Sequence, residues 1–288
     1  MKKVLVTGAN GFIGKALFSE LKKTHEVYGY TRQDGNISFI DFKEFPVNVD
    51  YNFDYIYHLC STVHNYHIFD DPYLDINTNC IGTVALLENI RKYCPNVKLV
   101  YVSTFFINDE QPLALYGATK LCAEHICKSY SRVFNINVSI ARLCNVYGIG
   151  EQRNNTKKNA FMRILFDLIN NQNIEIYDIN SYRDMIYIDD VISALTTIAE
   201  KGENNEVYMV STGQLRTFKE IVQIIKTNIP TKSQIGLIKP PLFHQQVGID
   251  TFNNDNSKLC ALGWKPQFSL EMSIKQIYER YLEEKCIK

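Results

Sequence analysis

Short apolar runs alternate with longer amphipathic stretches along this chain. Val4-Leu5-Val6 is the first run, and Thr7-Gly8 stops it. Phe12 to Leu21 then carries apolar residues at helical spacing. Glu26 to Thr31 reads as a second strand, Ile37 to Ile40 as a third, Tyr55 to Leu59 as a fourth and Val97 to Val102 as a fifth. Pro72 to Tyr93 reads as a helix, with Ile76, Val84, Leu87 and Ile90 as its apolar positions. Tyr116 opens another helix that runs to about Phe134. Further on, Asn159–Asn170, Asp189–Glu200, Thr217–Lys226 and Leu270–Glu284 read as helices, and Glu206–Val210 as a strand. Strands alternating with helices of this length predict an α/β fold, a doubly wound parallel sheet.

The turn after the first strand carries candidate chemistry. Gly8, Gly11 and Gly14 are evenly spaced in TGANGFIG. Gly8 suits a turn conformation that a Cβ disfavours. Gly11 lets the backbone approach a pyrophosphate, and Gly14 lets the helix pack close to its strand. The N–H groups at the helix start then face the anion. The expected cofactor contacts here are Gly8, Asn10, Gly11, Phe12, Ile13 and Gly14. At the end of the second strand an NAD site usually places a carboxylate on the ribose. This chain has Tyr30-Thr31-Arg32-Gln33 instead. A guanidinium matches a 2′-phosphate, so NADPH/NADP is the expected cofactor, with NAD as the alternative if Asp34 aligns with the acidic position. Asp41, after the third expected strand, is placed to accept from an adenine amino group or to serve its own loop. Leu59 ends the fourth strand and Cys60-Ser61-Thr62 follows, small residues that let backbone pass near the cofactor; Leu59, Cys60 and Ser61 are the expected contacts there.

Tyr116 and Lys120 are four apart on one helix and share a face. An ammonium beside a phenol favours phenolate, so the expected tyrosine pKa is lowered, which makes a usable acid or base.

Composition narrows the classes. The 288 residues fit one large or two small domains, and 45% are hydrophobic. Lys+Arg and Asp+Glu both total 31, so no net field draws in nucleic acid or an acidic membrane. Met1-Lys2-Lys3 precedes too short an apolar run for a signal peptide, and no run reaches spanning length. The eight cysteines include no C-x-x-C pair. Cys60, Cys94, Cys122 and Cys144 lie in apolar surroundings, so buried free thiols and a cytoplasmic location are expected. His64 and His67 form an H-x-x-H with no third ligand signposted, so no metal is expected.

Several segments together carry a resemblance. HLCS (His58 to Ser61), NCIGT (Asn79 to Thr83), VSTFF (Val102 to Phe106), YGATK from Tyr116, ARLCNVYG (Ala141 to Gly148), YRDMIYIDD (Tyr182 to Asp190) and LGWKP (Leu262 to Pro266) join TGANGFIG in order. The chain resembles the extended short-chain dehydrogenase/reductase family, in its nucleotide-sugar epimerase, dehydratase and reductase branch. The resemblance covers nearly the whole sequence. It implies a Rossmann-type NAD(P)-binding domain over 1–150, with further contributions from the middle of the C-terminal half. Residues 151–288 would then form mainly a smaller α/β substrate lobe. It implies a catalytic triad of Thr104, Tyr116 and Lys120, with Ser103 as a rival for the hydroxyl role, and cofactor contacts from Asn79, Tyr116 and Lys120. It implies substrate contacts from Ser103, Thr104, Phe105, Asn145, Asn159 and Arg183, and a homodimer acting in deoxysugar and surface-glycan biosynthesis.

Departures from the family pattern refine the expected reaction. Only twelve positions separate Thr104 from Tyr116, which shortens the cover over a sugar. Phe105 and Phe106 stand where dehydratases of the family carry an acidic pair. Lys239 to Val247 lacks the second phosphate-binding arginine of many relatives. The expectation is NADPH-dependent reduction of a 4-keto-6-deoxy nucleotide sugar, similar to the CDP-paratose and CDP-abequose synthase type of 4-keto reductase. A nucleotide-sugar 4-epimerase with tightly held NAD is the alternative. A non-catalytic cofactor sensor is the third reading, disfavoured by the intact Tyr116-Lys120 pair.

Overall fold

The computed structural model describes residues 1–44, 51–63, 67–107, 114–151, 160–177, 182–246 and 252–286. Strand β1 (Lys3–Thr7), helix α1 (Phe12–Leu21) and strand β2 (Glu26–Tyr30) open the chain. Strand β3 (Tyr55–His58) follows, then the short helices α2 (His67–Asp70) and α3 (Pro72–Asp75). A π-helical turn (Ile76–Ile81) leads into α4 (Gly82–Tyr93). Next come β4 (Lys98–Thr104), α5 (Leu115–Phe134), β5 (Asn137–Leu143) and β6 (Asn145–Tyr147). The second half holds α6 (Ala160–Ile169), β7 (Ile174–Tyr177), β8 (Tyr182–Arg183), β9 (Met185–Tyr187) and α7 (Ile188–Lys201). It continues with β10 (Val207–Val210), β11 (Arg216–Thr217), α8 (Phe218–Asn228) and β12 (Ile235–Ile238). The helices α9 (Leu242–Gln246), α10 (Ser257–Ala261) and α11 (Leu270–Cys286) end it.

Six strands form one sheet in the order β10-β5-β4-β3-β1-β2, and every neighbouring pair is parallel. Side chains alternate across it: Val4 and Val6 enter one buried cluster and Leu5 the other. Both faces are therefore covered, as the crossover helices of a parallel sheet require. From β1 the chain moves outward to β2 on one side and returns to β3 on the other. Such a reversal opens a crevice at the C-terminal ends of the strands, where ligands of open α/β sheets sit. Strand β10, from the second half, completes the far edge beside β5.

One expectation fails locally and one strand goes unforeseen, both for identifiable reasons. Ile37–Ile40 is no strand; Ile37–Phe39 is a 3₁₀ turn. Asn36 Oδ1 accepts from Ser38 N–H at 3.0 Å and caps it. Ile37 and Ile40 are both buried in one cluster, which a turn allows at i, i+3 and a strand does not. Strand β5, in contrast, goes unrecognised in the sequence because Ser139 and Arg142 interrupt its apolar pattern. Ser139 Oγ donates to the Glu203 carbonyl at 2.7 Å, and Arg142 pairs with buried Glu124 at 2.8 Å, so both polar groups are satisfied inside.

Two aspartates tie segments of the second half to one another. The fully buried Asp184 carboxylate accepts from Thr212 N–H (2.9 Å), Thr212 Oγ1 (2.7 Å), Gln214 N–H (3.0 Å) and Asn254 Nδ2 (3.0 Å). Asp190, at the start of α7, accepts from the backbone of Gln267 and Phe268 at 2.8 and 3.1 Å. Trp264 is buried as core packing, and its Nε1 donates to Ser193 Oγ at 2.9 Å. Cys94 and Cys144 are buried as expected and Cys60 is half-buried, but Cys122 is exposed. On α5 it lies two residues beyond buried Lys120, about 200° around the helix from it. No helix among the described residues is long and apolar enough to cross a membrane.

Candidate active site

The glycine turn meets its predicted geometry. Gly8 has φ +74°, and a Cβ there would stand 3.0 Å from the Leu59–Cys60 backbone. A Cβ on Gly14 would collide with the Gly8 carbonyl, so only glycine lets α1 start this close to β1. Gly11 is the N-cap of α1, and no side chain caps that terminus. No acidic residue lies in the first turn either, so its partial positive charge is left for an anion. Asn10 and Gly11 are exposed, while Phe12 and Ile13 pack their side chains on the core. This cradle fits a dinucleotide pyrophosphate.

Beside it, Arg32 is exposed just after β2; burial raises the Cys60 thiol, and the nearby Arg32 charge opposes that rise only in part. Asp34 is turned to its own loop: its Oδ2 accepts from Thr31 N–H and Thr31 Oγ1, both at 2.7 Å. Asp41 is half-buried and its Oδ1 accepts from Lys43 N–H at 2.9 Å, a local turn contact. Leu59 N–H donates to the Thr7 carbonyl at 3.2 Å, and Cys60 N–H to Thr7 Oγ1 at 3.3 Å.

A chain of buried hydrogen bonds then runs across the strand ends. Thr7 Oγ1 meets His58 Nδ1 at 2.7 Å, and His58 Nε2 meets Thr83 Oγ1 at 3.2 Å. Thr83 donates its own proton to the Asn79 carbonyl at 2.6 Å, so its oxygen accepts from His58 Nε2–H. Burial lowers His58 to a pKa of about 3, so the imidazole is neutral and Nδ1 accepts from Thr7. Asn79 is saturated. Its Nδ2 donates to Thr62 Oγ1 (2.8 Å) and Thr119 Oγ1 (3.0 Å). Its Oδ1 accepts from Ser61 Oγ (3.0 Å) and Thr62 N–H (3.1 Å). Its amide thereby joins the loop after β3 to α5. Thr83 and Thr119 lie inside the NCIGT and YGATK segments, but the residue pattern does not show that they and Thr62 meet Asn79 in one network.

Thr104 ends β4, and Tyr116 lies in the first turn of α5. A Cβ on Gly117 would collide with the Phe106 carbonyl, so this glycine lets the strand end lie against the helix start. Thr104 and Ser61 are near enough to the Tyr116 hydroxyl for their side chains to favour its ionised form. Thr104 Oγ1 also accepts from Phe106 N–H at 3.1 Å, which leaves the threonine proton free to donate. Burial pushes the tyrosine up to about 12, and the neighbouring Thr104 and Ser61 side chains draw it back only in part. The sequence predicted the opposite direction. The reason is where Lys120 goes: its ammonium is buried and donates to the Val102 carbonyl at 2.7 Å, over the Tyr101 ring at 4.2 Å. Burial in turn lowers Lys120 to about 8.

The expected substrate residues are divided. Ser103 Oγ and Asn145 Oδ1 are buried and have no hydrogen-bond partner among the described residues. Buried polar atoms of this kind are rare and mark places where a ligand's polar groups complete the structure. Asn145 N–H donates to the Asp184 carbonyl at 3.0 Å, which brings Asn145 beside the strand that carries Arg183. Arg183 itself is half-buried and donates to the Tyr182 carbonyl at 2.6 Å. Phe105 packs on Phe252 with centroids 4.4 Å apart. Asn159 and His64 lie outside the described residues.

With this geometry in place, the family model described as NAD dependent epimerase/dehydratase family matches residues 4–211. The chain belongs to the NAD dependent epimerase/dehydratase family. It is similar to UDP-glucuronate 4-epimerase 4 of Arabidopsis thaliana, 25% identical over 97% of this chain and 75% of that one. It is also similar to GDP-6-deoxy-D-mannose reductase of Pseudomonas aeruginosa, 23% identical over 96% of each. Among solved structures, UDP-glucose 4-epimerase of Thermotoga maritima with UDP-glucose superposes with a TM-score of 0.82 at 23% identity. That match covers 99% of this chain and 100% of the other. The Rossmann-type α/β sheet is thus the family's fold, and the protein is a nicotinamide-dinucleotide-dependent enzyme of the epimerase, dehydratase and reductase class.

Proposed function

We propose that the protein reduces the 4-keto group of a 4-keto-6-deoxy nucleotide sugar with NADPH. The observation that carries this reading is the placement of Tyr116 at the start of α5, against the end of β4 that carries Thr104, with Phe105 and Phe106 next after that threonine. A phenol pushed up to about 12 is protonated at neutral pH, so the first act open to it is to give a proton. The residues that would hold the dinucleotide are Gly8, Asn10, Gly11, Phe12, Ile13 and Gly14 at the pyrophosphate, Arg32 at a 2′-phosphate, and Lys120 near the nicotinamide ribose. When bound, the dinucleotide supplies a hydride to the ketone carbon. Tyr116 protonates the oxygen that this leaves negative, and the free Thr104 proton donates to the same oxygen. Phe105 and Phe106 leave two positions beside Thr104 without an acid or base, which fits a simple reduction. Ser103, Asn145 and Arg183 would take the polar groups of the sugar nucleotide.

A 4-epimerase holding NAD uses the same triad, and the similarity to an Arabidopsis 4-epimerase supports that second reading. Arg32, the twelve-position gap from Thr104 to Tyr116 and the arginine-free stretch from Lys239 to Val247 support the reductase. A cytosolic homodimer accompanies both readings. The free cysteines fit a reducing compartment, and exposed Ile76 and Ile81 offer apolar surface for a second copy.

The test is stoichiometry. A 4-keto-6-deoxy nucleotide sugar, made by an upstream dehydratase, is expected to consume one NADPH per product, read as lost nicotinamide absorbance. Stoichiometric bound NAD, with 4-epimers of an ordinary hexose interconverting and no net oxidation, would decide for the epimerase.

A further inference from the structure

We infer that Arg216 is a substrate-binding residue: with Arg183, which it faces across β8 and β11, it forms the grip for the diphosphate of the nucleotide substrate. The inference rests on the substrate being a nucleotide-linked sugar. It does not depend on whether that sugar is reduced or epimerised.

The sheet register carries it. Strands β8 and β11 pair antiparallel, with Arg216 opposite Arg183 and Thr217 opposite Tyr182. Residues directly opposite in such a pair project from the same face, with Cβ atoms about 5 Å apart. Two arginines thus leave one face of a two-stranded sheet side by side, and both are half-buried. Like charges placed this way are destabilising, and an anion between them reverses the sign. The register is held firmly. Asp184 directly follows Arg183, and its carboxylate accepts from Thr212 N–H (2.9 Å), Thr212 Oγ1 (2.7 Å) and Gln214 N–H (3.0 Å), just before β11. The network that closes around Asp184 therefore also fixes one arginine against the other.

The neighbouring carboxylates are committed elsewhere. Glu220 Oε2 accepts from Thr217 N–H at 2.7 Å and from Thr217 Oγ1 at 2.8 Å, in the capping box that starts α8. Those bonds from Thr217 hold the Glu220 carboxyl below its ordinary pKa, and the Arg216 charge adds less. Glu271, in the first turn of α11, is lowered first by its own backbone N–H and last by Arg216. Neither forms an ion pair with Arg216, and among the described residues the Arg216 guanidinium makes no hydrogen bond. Its five N–H donors are left for a ligand. Arg183 spends one of its own on the Tyr182 carbonyl. A diphosphate presents two adjacent anionic groups, and each suits the planar fork of one guanidinium. Asn145 is close by, since its N–H donates to the Asp184 carbonyl at 3.0 Å. Its buried, unpartnered Oδ1 is an acceptor for a hydroxyl of the same ligand.

Calorimetry on the full-length protein tests this, with NADP⁺ at saturation so that the cradle at α1 does not compete for phosphate. The probes are UDP, CDP, GDP and dTDP, with the monophosphate of each. The diphosphate that the parent binds most tightly is expected to bind about ten-fold or more weakly to Arg216→Ala. The matching monophosphate should lose less. Arg216→Lys keeps the charge without the fork and should fall between. Arg183→Ala should lose a comparable amount. The urea midpoint of Arg216→Ala should stay near the parent's, which separates a binding role from a structural one. Arg216→Gln serves in its place if the alanine variant does not fold. Parent-like diphosphate binding in that variant, or equal losses of diphosphate and monophosphate, overturns the inference. If Arg183→Ala alone weakens the diphosphate, Arg216 is excluded and the nucleotide-linked substrate stands. If the parent binds none of the four diphosphates, the substrate reading falls and the inference falls with it.

Discussion

Asp184 and Tyr116 sit in motifs of equal visibility along the sequence, yet the structure uses their polar groups in opposite ways. Every contact around Asp184 is closed: one carboxylate, four donors, no exposure. Around Tyr116 capacity is left over. Thr104 retains a proton, Ser61 has more acceptors than protons, and Ser103 Oγ and Asn145 Oδ1 have no partner among the described residues. A saturated buried network contributes stability and a fixed shape. A network with unfilled positions costs stability and gains from a ligand that fills them. Asn79 belongs with Asp184 on this criterion, with four hydrogen bonds at its amide.

Three substitutions sharpen that contrast. Tyr116→Phe removes one hydroxyl from the open network. Turnover is expected to fall by roughly 10²-fold or more, while the urea midpoint and cofactor binding stay near the parent's. Parent-like turnover on the true substrate would remove Tyr116 from the chemistry. Asp184→Ala leaves several buried donors without an acceptor, so unfolding free energy should fall by about 3 kcal/mol or more, read from urea denaturation. A loss under about 1 kcal/mol would show that the closed network does not hold the second half in place. Arg32→Ala is expected to weaken NADPH about ten-fold and leave NADH nearly unchanged, as measured by titration of each cofactor. Equal losses would show that Arg32 does not read the 2′-phosphate.

Much of the fold and part of the site are legible in the residue pattern alone. The glycine turn follows from the steric freedom of Gly8 and Gly14, and Gly8 does take a positive φ. The strand–helix alternation follows from periodicity, and helix ends agree within a residue or two for α1, α5 and α7. What escapes the pattern has a common cause. Ile37 and Ile40 look the same in a strand or a 3₁₀ turn until the side chain of Asn36 caps one of them. Ser139 and Arg142 look like breaks in β5 until their partners, 64 and 18 positions away, are seen. Spacing puts Lys120 on the face of Tyr116 but does not reveal the Val102 carbonyl that takes its ammonium. Pairings across the fold decide hydrogen-bond saturation, and a one-dimensional pattern does not contain them.

The central claim is that this site delivers a proton and a hydride to a sugar ketone in a net reduction. NADPH carrying deuterium at the transferable position of nicotinamide C4 tests it most directly. With a 4-keto-6-deoxy nucleotide sugar as partner, the account predicts one deuterium per product molecule, at sugar C4, and one oxidised dinucleotide released each time. Tyr116→Phe should lower the rate of that transfer without changing where the deuterium goes. A product free of deuterium, or an ordinary nucleotide hexose epimerised at C4 while its dinucleotide stays bound and unchanged, would contradict it.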